Sequence, residues 1–292
     1  MQPGILYAAL AYTAWGLFPV YFHQLQSVGA LEVIMHRTLW SMVFVALLLV
    51  ARRQLAWVAP LRGQPRLIAS FALSALLLSA NWLIYVWAVN NGHVVDASLG
   101  YFILPLVNVA MGYAFLHERP RPGQWAAVAL AAAGVLWLTW QGGHLPWISL
   151  ALALTFGFYG LLRKTAVLGA LEGLALETAL LAPLALAALV FWGWQGSAAW
   201  VHADVGQLAW LLAAGPITAV PLLLFAAGAR RIPLATMGLL QYISPTLQLL
   251  CGVWLFGEQL QSARLAGFVL IWLALGLFAA EGVWQRRRVV FG

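Results

Sequence analysis

The sequence predicts an all-α integral membrane protein, ten transmembrane helices arranged as two inverted five-helix repeats. Three observations predict it: a composition too apolar for a soluble surface, basic residues in alternate connections, and a repeat at one constant offset. Of 292 residues, 64% are hydrophobic and only 8% charged. A soluble domain carries about 25% charged residues, so this chain cannot cover a surface that faces water. Its net charge of +7 sits in short clusters between apolar runs, which sets orientation in a bilayer and argues against nucleic acid as a partner. The single cysteine, Cys251, lies in an apolar run and leaves no disulfide or thiolate metal site to expect.

A crossing takes about 20 residues, and polar or turn-forming clusters divide the chain into ten such runs. The first, 4–22, follows MQPG, which has no positive leader, and is read as a span rather than a cleaved signal; FHQLQSVGA closes it. The second, 32–51, stops at Arg52 and Arg53. The third, 67–89, lies between Arg62 with Arg66 and the loop NNGHVV. The fourth, 95–117, runs up to the glutamate of AFLHE; Arg119 and Arg121 precede the fifth, 123–141, which ends in QGGHLPW. The sixth, 147–163, stops at Arg163 and Lys164, and the seventh, 172–192, enters GWQGSAAWVHADVGQ. The eighth, 207–229, ends at Arg230 and Arg231; the ninth, 234–257, ends before the glutamate of WLFGE. The tenth, 264–284, precedes Arg286, Arg287 and Arg288.

Lysine and arginine therefore occupy every second connection, with Arg264 the exception, which places both termini in the cytoplasm. Trp57, Trp125, Trp140, Trp147, Trp194, Trp200 and Trp284 fall near span ends, where amphipathic rings anchor at the interface. Trp15, Trp82, Trp87 and Trp254 lie within spans.

GALEVIMHRTLW (29–40) aligns without gaps to GALEGLALETAL (169–180), an offset of 140. The same offset aligns LPLVNVAMGYAFLHE (104–118) with SPTLQLLCGVWLFGE (244–258). The halves, 1–142 and 143–292, then hold five spans each. Five is odd, so the second half enters the membrane from the opposite face, the arrangement that gives carriers two near-equivalent shapes and a midplane site.

Two five-span halves, each closing its fourth span on a glutamate, resemble the EamA units of the drug/metabolite transporter superfamily, and within it the RarD group. The stretches AYTAWGLFPVYF, EVIMHRTLWS, NWLIYVWAVNNGHVVDASLGYFILPLVNV, FGFYGLLRK and LQYISPTL carry the resemblance over nearly the whole length. It implies a ten-helix carrier in a bacterial inner membrane. In related carriers, spans one, three, four, six, eight and nine surround the cavity, with two and seven further out. The function expected is secondary transport of a small amphipathic metabolite or drug, amino-acid-like or aromatic, by alternating access and in the direction of export. A channel or facilitator is the alternative. An intramembrane enzyme is the more distant one, since no HExxH, GxSxG or paired acids at helical spacing occur. No cofactor or metal is expected, because His23, His93, His117, His144 and His202 are scattered near loops.

Arg37 and Glu177 are repeat equivalents inside spans two and seven. Inversion puts each about 8 Å in from opposite faces, so they are not expected to touch. An unpaired intramembrane charge costs at least about 2.5–3.5 kcal/mol, so each needs a partner on its own side. Those are Glu32, Asp96 or Glu258 for Arg37, and Arg163, Lys164, Arg230 or Arg231 for Glu177. Such ties could form outer and inner latches, or permanent pairs, or Arg37 could snorkel outward. His36 could serve proton coupling, but it lies four residues from Glu32, and a structural pair is the preferred reading.

Pro105 and Pro245 are equivalents in the middle of spans four and nine and free the carbonyls of Tyr101 and Gln241. Asn108 and Gln248 follow three positions on. Matched interruptions point to a carrier's binding site. Trp15, Phe18 and Tyr21 in span one, Asn81 and Tyr85 in span three, Tyr159 in span six and Tyr242 in span nine complete the candidate cavity. Glu118 and Glu258 are expected to cap spans five and ten. The small residues AAVALAAAG and LALG in those spans would permit a homodimer.

Overall fold

The computed structural model describes residues 2–91, 93–142, 147–257 and 262–291. Glu258, His144 and the join at 143–146 lie outside them, as do the side chains of Arg62, Asp96, Arg264, Trp284, Arg286, Arg287 and Arg288. Among the described residues every regular element is helical. In order these are α1 (Pro3–Gly16), α2 (Phe18–His23), α3 (Ala30–Ala51), α4 (Pro65–Asn90), α5 (Val94–Leu116), α6 (Pro122–Gly142) and α7 (Trp147–Thr165). They continue as α8 (Ala170–Trp194), α9 (Ala199–His202), α10 (Val205–Ala229), α11 (Leu234–Gln241), α12 (Ile243–Leu250) and α13 (Ser262–Phe291). A short 3-10 turn, Ala59–Gly63, precedes α4, and one π-turn, Cys251–Leu255, follows α12.

Seven helical stretches are long and apolar enough to cross a bilayer: Pro3–His23, Ala30–Ala51, Pro65–Ala88, Leu99–Leu116, Pro122–Trp140, Ala170–Trp194 and Val205–Ala229. These coincide with the expected spans one to five, seven and eight. The other three expected spans fall in α7, in α11 with α12 and the π-turn, and in α13. They fall short by that measure for local reasons. α7 ends on the charged Arg163 and Lys164, the ninth is broken at Tyr242, and the apolar part of α13 is the shorter Leu265–Glu281.

The lipid-facing character is visible on the outside. Leu47, Leu136, Leu184 and Val190 are 60–68% exposed on helices that are apolar all round, a surface water would not tolerate. Trp140 and Trp194, at helix ends, are the most exposed rings, at 84% and 85%.

The matched interruption expected at Pro105 and Pro245 appears in one half only. α5 runs unbroken through Pro105, whereas the ninth segment breaks at Tyr242, three residues before Pro245. A break not expected from the sequence splits the first segment at Leu17, two residues before Pro19. Pro19 has no N–H to offer the Trp15 carbonyl four residues back; Gln248 Nε2 donates to that oxygen instead, at 3.2 Å. One turn earlier, Ser244 Oγ donates to the Tyr12 carbonyl at 2.6 Å. The two broken segments therefore satisfy each other, and Gly16 lets them approach: a methyl there would meet Leu247 Cβ at 2.7 Å.

Packing places α3, α4, α8 and α10 at the centre, with α1 on α10 and α12, α7 on α4 and α5, and α5 on α11. Tyr12, Leu78, Tyr159, Leu174 and Phe225 fill the main core. Part of the small-residue stripe of the fifth and tenth segments packs inside the chain, while Ala126, Ala129 and Ala133 stay exposed. Ala127, Ala131 and Ala274 are fully buried, and Gly134 faces the Gly267 carbonyl where α6 crosses α13.

Candidate functional site

The sequence HRT on α3 brings three polar side chains into the centre. Arg37 is 9% exposed. Its Nε donates to Thr218 Oγ1 at 2.9 Å, a hydroxyl on α10. Gly215, one turn before Thr218, makes that reach feasible, because any side chain there would collide with the Trp40 carbonyl. The guanidinium carbon lies 4.5 Å from the Trp82 ring centroid and 5.5 Å from those of Phe18 and Phe22. A desolvated cation over a ring gains about 2 kcal/mol, so three rings offset much of the burial of this charge. The phenols of Tyr21, Tyr101 and Tyr85 lie within its electrostatic range.

Of the acids expected beside Arg37, Glu32 is turned elsewhere, and the side chains of Asp96 and Glu258 lie outside the described residues. Glu32 accepts from the Ala199 and Trp200 amides at 3.0 and 3.1 Å, and its Oε1 stands 3.9 Å from His36 Nε2. The reason is rotation: five residues advance a helix by about 500°, so Arg37 sits about 140° around from Glu32, while His36 at four residues shares its face. His36 Nδ1 accepts from Trp40 Nε1 at 3.1 Å. Among the described residues no carboxylate pairs with Arg37.

Glu177 has a different surrounding. Its Oε1 accepts from Ser74 Oγ at 2.5 Å and lies 3.6 Å from Arg163 Nη1, with both charged side chains 1% exposed. Arg163 Nη2 donates to the Ala170 carbonyl at 3.0 Å, and its guanidinium covers Phe71 at 5.6 Å. Gly173 leaves the space that guanidinium fills. Glu177 Oε2 and the Tyr159 hydroxyl are both buried, and the two groups interact with each other. Lys164 instead donates to the Ala229 and Ile232 carbonyls, 3.6 Å from Glu118. Arg230 donates to the Ala166 and Leu168 carbonyls, and Arg231 to Ala227.

Glu118 does not cap the fifth span. His117, with φ 52°, turns the chain at the end of α5, and the carboxylate accepts from Leu234 and Ala235 N–H at 2.8 and 3.1 Å, capping α11. Two free amides at a helix start attract it more than a distant dipole.

Of the remaining candidates, Asn81 donates to the Leu152 carbonyl and Thr155, and Asn108 donates to Gln241 Oε1 at 3.1 Å. Tyr242 OH donates to the Phe102 carbonyl. Trp15 and Tyr159 pack with Tyr12, Phe156 and Phe225 in one aromatic cluster. Tyr85 and Tyr101 meet edge to face at 6.0 Å. Thr218, Ser74 and Tyr12 escaped the sequence reading; their only signal was a lone hydroxyl in an apolar run.

Between the two charged residues lies a small cavity with room for about one water. Its walls are Thr38 with Thr178, Ser41 with Leu181, Leu78 with Thr218, and Trp82 with Leu222, each pair 140 residues apart, and Glu177 also lines it. The second and seventh segments both supply walls of this small cavity.

Comparison with known proteins agrees with this architecture. The profile of the EamA-like transporter family matches residues 2–140. The uncharacterized transporter PA0485 of Pseudomonas aeruginosa is 49% identical over 99% of this chain and 97% of its own. Protein RarD of Escherichia coli K12 is 42% identical over 98% and 97%. A solved crystal structure, 17% identical, has the same fold with a TM-score of 0.69, covering 94% of this chain and 97% of that one.

Proposed function

The chain belongs to the EamA-like transporter family, among its RarD-type members, and from that premise we propose that it is an alternating-access carrier. As such it moves a small amphipathic metabolite or drug, amino-acid-like or aromatic, outward across the bacterial inner membrane. Ten spans in two inverted halves, with both termini in the cytoplasm, are the frame of that reading.

The supporting observation is how the helices choose neighbours. Exchanging each segment for its counterpart 140 residues away turns one set of contacts into another. The packing of α3 on α10 becomes that of α8 on α4, α1 on α10 becomes α7 on α4, and α5 on α7 becomes α12 on α1. The contacts of α3 with α8, α5 with α11 and α6 with α13 map onto themselves. Two interleaved halves related this way have two arrangements of near-equal energy. The cavity walled by equivalent pairs marks the axis, with Arg37 and Glu177 to either side of it. On the side assigned to the cytoplasm, Ser74 with Glu177, whose charge Arg163 balances within the second half, and Glu118 with Lys164 and α11, tie the halves together; these ties are the latch that opens when the carrier turns. Proton coupling through His36 is not favoured by its hydrogen bond to Trp40.

Counterflow in proteoliposomes tests the reading. Vesicles loaded with an unlabelled aromatic amino acid or aromatic acid should accelerate saturable entry of the same labelled compound. Conductance without such exchange would mean a channel.

A further inference from the structure

We infer that the free edge of the Arg37 guanidinium is an anion-reading subsite of the transport cavity, and that it takes the carboxylate of a small organic acid with a flat aromatic or apolar body. This rests on the transporter reading and names its substrate class. The argument starts from an asymmetry between equivalents. Glu177 has a buried counter-ion in Arg163 at 3.6 Å, whereas Arg37, equally deep in its own half, has no described acid beside it. Its neighbours are the rings of Trp82, Phe18 and Phe22 and one hydroxyl, Thr218.

Those neighbours hold the charge without neutralising it. Thr218 uses Nε, and rings cover guanidinium faces, so both terminal amino groups keep donors for a ligand. Their fork matches the two oxygens of a carboxylate. No second described cation joins Arg37, which suits a monoanion better than a phosphate dianion. The flank is aromatic too: Tyr85, 37% exposed, and Tyr101 stand edge to face within electrostatic range of the guanidinium. A ring attached to the carboxylate would lie against this surface while the two charges meet.

The test uses the purified full chain in detergent, read by thermal unfolding and tryptophan fluorescence. The probes are 3-phenylpropionate and indole-3-acetate, their neutral amides, acetate, and inorganic phosphate. The aromatic carboxylates should bind at least about tenfold more tightly than their amides, because only the charged head engages the fork. In Arg37→Gln that ratio should fall to about one while amide binding persists. Should that variant not fold, Arg37→Lys, which keeps the charge but loses the fork, should narrow the ratio. Equal binding of acid and amide by the wild type overturns the inference, as does a panel with no carboxylate-dependent shift. Displacement of 3-phenylpropionate by phosphatidylglycerol in mixed micelles assigns the subsite to a lipid headgroup and also overturns it. Carboxylate binding without counterflow would sink the carrier reading and leave the subsite standing; counterflow indifferent to charge would do the reverse.

Discussion

Replacing Arg163 by methionine removes the cation beside Glu177 and leaves a carboxylate 1% exposed with Ser74 as its hydrogen-bond donor. Breaking a buried pair from one side destabilises by about 3–5 kcal/mol, because the survivor stays charged and desolvated. Ser74 remains and contributes a charge-assisted bond of about 1.5–3 kcal/mol, so the loss should lie toward the lower end, about 3 kcal/mol. Glu177→Gln should be milder, since Arg163 keeps the Ala170 carbonyl and the Phe71 face. The double variant removes both charges and should recover part of the loss, for a coupling of about 1–3 kcal/mol. Equilibrium unfolding in a denaturing detergent, followed by far-UV circular dichroism for all four proteins, gives the cycle. Additive effects, or an Arg163→Met variant within about 0.5 kcal/mol of wild type, would refute the claim that this pair is a buried tie. Because Glu177 also holds Ser74 of the first half, the single variants should shift cysteine-labelling accessibility toward the inward-open state.

Three further outcomes follow from the same geometry. Gly173→Ala would set a methyl against the Arg163 guanidinium and 2.7 Å from Phe71 Cε1, and should lower stability by about 1–3 kcal/mol in the same titration. Gln248→Leu strips the side-chain donor from the Trp15 carbonyl, to which Pro19 has no N–H to offer; a loss of about 1 kcal/mol is expected, with faster backbone hydrogen exchange around Leu17. Glu118→Ala uncaps two α11 amides and frees Lys164, which should cost about 1–2 kcal/mol. Glu118→Asp should not restore it, since the shorter stem draws the carboxylate back from Leu234.

The two charged residues show why one location yields to sequence reading and another does not. Arg37 and Glu177 stand out in the sequence because an ionised side chain in an apolar run violates the composition around it, and the constant offset identifies them as equivalents. Their partners do not stand out. Thr218 and Ser74 are single hydroxyls, Trp82 is one of sixteen tryptophans, and nothing in the spacing says which face of α10 meets α3. Likewise Glu118 sits where a dipole argument assigns it to the next helix, yet a left-handed His117 sends it to α11, across 116 residues of chain.

What the sequence by itself determined is the solvent: runs of apolar residues of bilayer length separated by short basic clusters, in a chain that repeats at one constant offset. These are additive properties of composition and periodicity, which survive any arrangement of the helices. Only the tertiary structure decided where the chain breaks, at Leu17 and Tyr242, and which carbonyls and charges are satisfied by which distant side chain. It also gave Glu177 an ion pair while Arg37 received aromatic rings. In lipid every helix looks alike from outside, so register and facing are set by close approach at glycines and by buried polar groups finding one another. Neither is a property of any segment taken alone.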